Sequence, residues 1–158
     1  MRDKKAKKLI LEPDSLYQSR IVTRLINRLM KDGKKSVAVK QVYRALELVE
    51  AKTKKPALDV LRQALENIKP VMEVRPRRIG GAAYQVPTPV RGDRRESLAI
   101  KWLIIAARER PNKDYKQFNL KLSAEIFDAL NNSGGAIRRR DAMQKMADAN
   151  RAFAHFRW

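Results

Sequence analysis

The sequence predicts a mainly α fold: a single bundle of about six helices with one protruding β-hairpin between the third and fourth helices. Apolar residues recur at helical spacing through most of the chain, as they do in helices with one buried face. Between residues 71 and 90 the period changes to two around Gly80-Gly81, which is typical of two strands joined by a tight turn. The 158 residues fit one domain, residues 1–158, because this length leaves little room for a second.

The first three helices have clear start or stop signals. Apolar spacing begins the first helix near Ile21, and Gly33 can supply the left-handed conformation that ends it. Ser36 is predicted to cap the second helix. Pro56 opens the third, and Pro70 stops it because proline cannot continue the helical hydrogen-bond ladder.

The predicted hairpin, residues 71–90, begins with a strand of period two. Met72 and Val74 alternate with Glu73 and Arg75 along this strand. Pro76 cannot donate to a ladder, so its strand is expected to be an edge or to carry a bulge.

The return strand is expected to end at Pro87 and Pro89. An isolated two-stranded ribbon is marginal in water, and this one carries three arginines for which the sequence offers no pairing partner. We therefore expect the ribbon to contact another molecule through Arg75, Arg77 and Arg78.

The last three helices are separated by Pro111 and by Gly134-Gly135, the latter predicted to end the fifth helix. A basic and aromatic tail, residues 148–158, follows the sixth. The expected buried stripes are Leu98, Trp102, Ile105 and Ala106 in the fourth helix, Phe118, Leu122, Ile126 and Leu130 in the fifth, and Ile137, Met143, Met146 and Ala147 in the sixth.

Composition argues against an enzyme. The chain has no cysteine and one histidine, His155, so disulfide scaffolds, thiol nucleophiles and cysteine zinc sites are excluded, and histidine chemistry has no partners. No glycine-rich phosphate loop lies between a strand and a helix. We expect no cofactor, metal or small-molecule substrate, and we interpret the helical carboxylates as solvated partners for nearby basic residues, namely Asp59, Glu66, Glu96, Glu109 and Asp128.

The charge points to a polyanionic partner. Lys and Arg number 36 against 17 Asp and Glu, a formal net charge of +19, and the basic residues cluster at predicted loops and ends, including a flexible arm at residues 1–12. Arginine dominates the later clusters and suits bidentate phosphate contacts. The sequence lacks an apolar run long enough to span a membrane, and Met1–Lys8 lacks the apolar stretch of a signal peptide, so we expect a soluble, non-secreted protein.

Three other readings follow from the same residues. A membrane-surface protein is disfavoured because the apolar stripes are needed for the core. A DNA-binding architectural or helix-turn-helix protein would also use basic helices, and an RNA-modifying enzyme would need a cofactor loop or paired carboxylates. The tail aromatics Phe153, Phe156 and Trp158 suit either base stacking or packing on protein.

Five segments resemble the small-subunit ribosomal protein seven family in its bacterial or organellar form. They are Met30–Ser36, Ala64–Pro70, Glu73–Gly81, Tyr84–Pro87 and Met146–Trp158, and they follow the family's order from one end of the chain to the other.

The resemblance implies a structural protein that binds the 3′ major domain of small-subunit ribosomal RNA and nucleates assembly of the subunit head. The ribbon would lie near the exit-site transfer RNA and the messenger RNA path, and the tail near RNA or the neighbouring family-eleven platform protein. The setting would be the cytoplasmic ribosome of a bacterium or its organellar equivalent.

The resemblance assigns residues to these contacts as follows. Ribosomal RNA would be bound by Arg2, Lys4, Lys5, Lys7, Lys8, Lys31, Lys34, Lys35, Arg91, Arg94, Arg95, Lys101, Arg138, Arg139, Arg140 and Arg151. Transfer and messenger RNA would lie near Arg75, Arg77, Arg78, Gly80, Gly81 and Tyr84. Tail contacts would come from Phe153, His155, Phe156, Arg157 and Trp158.

The sequence departs from the family pattern at two places. Gln41 stands where the pattern has an apolar residue, and the stretch from Asn112 to Asn119 is slightly long. Local contacts of the family at these two places are therefore not carried over to this chain.

Overall fold

Six α-helices and one antiparallel ribbon form the part of the chain, residues 11–156, that this computed structural model describes. The predicted arm therefore lies outside the described residues, except for Leu11 and Glu12. The mainly α fold with a hairpin between the third and fourth helices is confirmed. The elements are α1 (Arg20–Leu29), α2 (Lys35–Thr53), α3 (Ala57–Ile68), β1 (Met72–Ile79), β2 (Ala82–Pro89), α4 (Gly92–Glu109), α5 (Phe118–Leu130), α6 (Gly134–Ala149) and a terminal 3₁₀ helix (Arg151–Phe156).

Helix α5 lies at the centre of the bundle and packs against α2, α3, α4 and α6. Its residues Leu122 and Ile126 are fully buried, as the spacing predicts. Helix α4 also has many neighbours, namely α1, α3, α5 and α6. Its buried face includes Ala99, Ile100 and Leu103 beside the predicted Trp102 and Ala106, whereas the predicted Leu98 and Ile105 are only half-buried. No helix within residues 11–156 is long and apolar enough to cross a membrane.

The predicted stripe on α6 is wrong at one position. Met146 is 49% exposed, whereas Ile137 and Ala147 are buried. Helix α6 packs on α4, α5 and the strand β1, and Met146 lies on the side that these neighbours leave open.

Two predicted helix ends need correction. Ser36 is not a cap, because α2 begins at Lys35 with Lys34 at the capping position and no side-chain cap hydrogen bond. Gly134 and Gly135 begin α6 and do not end α5. Gly134 has a φ of +94°, and a Cβ there would lie 2.9 Å from Glu125 Oε1, so both the backbone conformation and the lack of space favour glycine.

The ribbon pairs regularly from Met72 opposite Pro89 to Ile79 opposite Ala82. Its turn is formed by Gly80 and Gly81, which have φ values of +55° and +89°. Two residues with positive φ give the turn whose twist matches a hairpin, so the predicted role of these glycines is confirmed.

Three prolines occupy equivalent positions in the ribbon. Paired residues in an antiparallel ladder alternate between those that bond each other and those whose backbone groups point outward. The Val90 amide bonds the Val71 carbonyl at 3.0 Å, which places this pair in the first class. The pairs that contain Pro89, Pro87 and Pro76 lie one, three and five pairs further along the ribbon, so all three fall in the second class. The strand β2 ends at Pro89, as predicted, whereas Pro87 lies within it. Pro76 is accommodated on an edge strand without a bulge.

Candidate nucleic-acid interface

The turn between α1 and α2 presents three lysines to solvent. Lys31, Lys34 and Lys35 are all exposed, and the turn is closed by a hydrogen bond from the Lys34 amide to the Lys31 carbonyl at 3.0 Å. Arg108 on α4 donates from Nη2 to the carbonyl of Leu29 at 2.9 Å. This bond ties the end of α4 to the lysine turn, so Arg108 joins the predicted basic cluster.

A groove of about 450 Å³, which we call the turn groove, opens beside these lysines. Its rim carries the cations Lys31, Lys34 and Arg108, and its apolar wall includes Val37 and Phe118. None of its lining residues is acidic. The turn groove therefore combines apolar surface with positive charge.

A second groove of about 340 Å³ lies further back along α1 and α4. It is lined by Arg24, Arg28 and Asp93 among others, and Arg24 pairs with Glu96 at 2.9 Å. Neither Arg24 nor Arg28 was predicted as a site residue, although the basic outer face of α1 could have indicated them. This groove is smaller and carries an acidic side chain.

The base of the ribbon is built around a buried carboxylate. Glu73 is only 3% exposed, and it accepts hydrogen bonds from Arg75 Nε at 2.5 Å and Arg94 Nε at 2.6 Å. Burial raises the pKa of Glu73, but the bonds from Arg94 and Arg75 outweigh it and leave that pKa below its ordinary value. The carboxylate therefore stays charged and holds β1 to the start of α4.

This arrangement overturns one expectation, that the sequence offers no pairing partner for the ribbon arginines. Arg75 pairs with Glu73 on its own strand, and Arg77 also interacts with its surroundings. Glu73 is the most buried side chain of β1, and its ion pair with Arg94 on α4 explains how a carboxylate is accommodated there.

Some basic residues at the start of α4 bond the ribbon base, and others are exposed to solvent. Arg95 donates from Nε to the carbonyl of Pro70 at 2.9 Å, so it and Arg94 brace the ribbon base. Arg91 and Lys101 are exposed. Only part of the predicted basic cluster on α4 is therefore without a role in holding the ribbon base.

The arginines of α6 are also largely engaged within the protein. Arg139 pairs with Glu109, and Arg140 donates to the Asn67 carbonyl at 2.5 Å. Arg138 is exposed. Two of the three predicted phosphate ligands on this helix therefore also join helices to one another.

A buried network connects α4, α5 and α6. Glu125, 1% exposed, accepts from Arg110 Nε at 2.8 Å and from the Ala136 amide at 2.8 Å. Burial lowers the pKa of Arg110, but the hydrogen bonds that Arg110 donates to Asp128 and Glu125 outweigh it and raise that pKa. The Glu125 carboxylate, which lies on α5, therefore caps the N-terminal turn of α6 by accepting the Ala136 amide.

The interpretation of the helical carboxylates as local partners is only partly right. Asp59 pairs with Arg62 and Glu66 with Lys69, each three residues away. The other three join separate elements, since Glu96 pairs with Arg24, Glu109 with Arg139 and Asp128 with Arg110.

The tail aromatics pack on the ribbon. The rings of Phe153 and Phe156 lie 5.3 and 5.6 Å from the ring of Tyr84 between centroids. His155 is exposed and hydrogen-bonded from Nδ1 to the Ala152 carbonyl at 2.9 Å. Of the two roles open to these rings, the structure shows packing on protein for Phe153 and Phe156.

The remaining predicted residues lie on the surface or outside the described chain. Arg78, Gly80 and Gly81 form the exposed end of the ribbon, and Arg151 is exposed on the 3₁₀ helix. The predicted contacts outside residues 11–156 are Arg2, Lys4, Lys5, Lys7, Lys8, Arg157 and Trp158.

A helical bundle with a projecting arginine-bearing ribbon, basic grooves and a surplus of positive charge is typical of a structural protein that binds nucleic acid. A family model described as "Ribosomal protein S7p/S5e" matches residues 1–151. The chain belongs to this ribosomal protein family, and so it is a structural component of the translation machinery and not an enzyme.

Bacterial relatives agree over nearly the whole chain. Proteins named "Small ribosomal subunit protein uS7" are 54% identical over 96% of both chains in Caldicellulosiruptor saccharolyticus, and 51% and 49% identical over the full length of both chains in Thermotoga maritima and Fervidobacterium nodosum. The predicted family resemblance is confirmed.

Proposed function

We propose that this protein binds the 3′ major domain of small-subunit ribosomal RNA, stabilises a junction of its helices and so nucleates assembly of the subunit head. The observation that supports this most directly is the placement of Lys31, Lys34 and Arg108 around one open groove with no acidic lining residue. Such a surface neutralises phosphates that would otherwise repel each other where RNA helices converge.

The ribbon has a separate role in this proposal. Its exposed end, with Arg78 beside Gly80 and Gly81, lies near the exit-site transfer RNA and messenger RNA, whereas the helical body binds ribosomal RNA. Glu73 supports this division because it fixes the ribbon base to α4 and leaves the other end free to reach a second ligand. The 3₁₀ helix and the residues after it face RNA or the family-eleven platform protein.

A salt titration tests the binding proposal. If about six to ten phosphates are engaged, affinity for the 3′ major domain falls by roughly 10³- to 10⁵-fold between 50 and 200 mM salt. An unrelated structured RNA of equal length and a DNA duplex serve as competitors. Equal binding to all three, or an affinity insensitive to salt, contradicts the proposal.

Matched charge removal tests the position of the interface. Changing Lys31, Lys34 and Lys35 together to Ala removes three exposed charges beside the turn groove, and changing Lys52, Lys54 and Lys55 to Ala removes three exposed charges at the other end of α2. The first variant is expected to bind more weakly. The slope of log affinity against log salt concentration should also become shallower by about three, roughly one for each phosphate contact that is lost. Equal losses from both variants would show that only total charge matters.

The ribbon is tested in assembled subunits. Replacing Arg77 and Arg78 by Ala is expected to impair handling of transfer or messenger RNA while the protein still enters the small subunit. Purified subunits that lack the variant protein would contradict the division between ribbon and body.

A further inference from the structure

The turn groove contains a polar group that the neutralisation of phosphates does not use. Gln41 lines this groove and is half-buried. Its Oε1 accepts the backbone amide of Asn119 at 3.0 Å, and since a backbone N–H can only donate, this bond fixes which end of the side-chain amide is the oxygen. No acceptor within residues 11–156 takes a hydrogen bond from the Gln41 nitrogen, so two donors remain available at the groove.

The surroundings of Gln41 suit a flat, partly apolar ligand. Val37 is 53% exposed, and the ring of Phe118 is only partly buried against the core. The Arg108 guanidinium is held in place by the Leu29 carbonyl. Aromatic rings and guanidinium planes are the surfaces on which proteins stack unpaired RNA bases.

The positive rim and the volume of the turn groove also suit a base with its flanking phosphates. Lys31 and Lys34 stand on the rim, where they can reach the phosphates that flank an inserted base. The volume of about 450 Å³ falls in the range of roughly 300–1,000 Å³ that is typical of small-ligand sites. The second groove lacks this combination, because it is smaller and Asp93 lines it.

We propose that the turn groove binds one unpaired nucleotide of the RNA, its base lying on the apolar wall and accepting a hydrogen bond from the Gln41 amide. A base with a carbonyl acceptor on its edge, which is guanine, uracil or cytosine, can accept from this amide, whereas adenine has no carbonyl. The inference rests on the proposed RNA-binding function and adds to it a contact that reads the base, since phosphate contacts alone carry no sequence information.

The substitution Gln41→Glu tests the donor specifically. Glutamate keeps an oxygen for the Asn119 amide, so the start of α5 remains supported, but it replaces the donors by an acceptor. Gln63→Glu adds the same charge at an exposed position on α3 and is the control. Relative to this control, Gln41→Glu is expected to weaken binding to a transcript of the 3′ major domain by about tenfold, the scale of one hydrogen bond.

Base-level chemical probing of the bound transcript identifies the contact. The wild-type protein is expected to protect the Watson–Crick edge of an unpaired guanine, uracil or cytosine, and Gln41→Glu to lose that protection while backbone protections elsewhere persist. A second variant, Val37→Trp, fills the groove without changing charge at a position exposed enough to accept it, and it is expected to lose the same protection with an affinity loss of about 5- to 150-fold, the scale of one stacked base.

The outcomes separate this inference from the proposed function. If the wild-type protein does not prefer the 3′ major domain to an unrelated RNA, the proposed function fails before any variant is compared. If it does prefer it, and both Gln41→Glu and Val37→Trp give the wild-type base protections, the groove holds no base and the inference is overturned. Loss of binding to a neighbouring ribosomal protein instead, with an unchanged RNA footprint, overturns it in favour of a protein ligand.

Discussion

The substitution Glu73→Gln is predicted to loosen the ribbon base. It preserves the size of the side chain but removes the charge that holds Arg75 and Arg94 at 2.5 and 2.6 Å. The glutamine carbonyl can still accept from one arginine, so one charged hydrogen bond is lost and the other is weakened.

The magnitude follows from the exposure of the partners. A hydrogen bond to a charged group contributes about 1.5–3 kcal/mol, but the side chains of Arg75 and Arg94 are 47% and 53% exposed and regain water when released. We therefore expect a loss of about 2 kcal/mol, near the lower end for one such bond. For a chain of this size that lowers the melting temperature by about 4–8 °C.

The effect is predicted to depend on pH. The pKa of Glu73 is below its ordinary value in the folded protein, so the stability it contributes is complete above the ordinary glutamate pKa of about 4.3 and is lost as the pH falls through the folded value. The difference in stability between wild type and Glu73→Gln should therefore be full at pH 6 and shrink below about pH 4.

Thermal and urea unfolding at pH 6 and at acidic pH measure both effects. Glu66→Gln is the control, because the Glu66 side chain is 68% exposed in its pair with Lys69 and such pairs contribute at most about 1 kcal/mol. Two results would refute the assignment of Glu73 as the charged residue that holds the ribbon base to α4. One is equal melting temperatures of wild type and Glu73→Gln at pH 6, and the other is a stability difference between them that does not shrink at acidic pH.

Three further substitutions test other parts of the fold. Glu125→Ala leaves Arg110 without its buried partner and the Ala136 amide unbonded, so urea unfolding should show a loss of about 3–5 kcal/mol. Gly134→Ala forces a side chain onto a positive φ against Glu125 and should cost about 2–4 kcal/mol in the same assay. Tyr84→Ala removes the ring on which Phe153 and Phe156 pack, and faster hydrogen exchange of the Phe153 amide, with exchange in α5 unchanged, is the expected result.

Local signals in the sequence were sufficient for the elements themselves. The helical period located all six helices because each has one face buried in the same core. Pro56 and Pro70 bracket α3, and Gly80-Gly81 forms the ribbon turn, because the backbone properties of proline and glycine act at their own positions whatever the tertiary context.

Contacts between distant segments were not predictable in this way. Glu73 bonds Arg94, 21 residues further along. An ion pair of this kind does not change the spacing of apolar residues in either segment, so the sequence pattern cannot reveal it. The same holds for Tyr84 with Phe153 and for Gln41 with the Asn119 amide. Sequence reasoning therefore identified most of the basic groups of the candidate interface, though it missed Arg24, Arg28 and Arg108, and it could not separate those that support the fold from those that stay exposed.

The prolines of the ribbon affect whether its exposed edges can pair with the strands of other chains. A two-stranded sheet exposes an open edge on each side, and such edges invite pairing with strands of other chains. Pro76, Pro87 and Pro89 all fall at positions whose backbone groups point outward, and proline has no N–H to offer there. Edge-to-edge pairing between the ribbons of two copies is therefore disfavoured at these three positions.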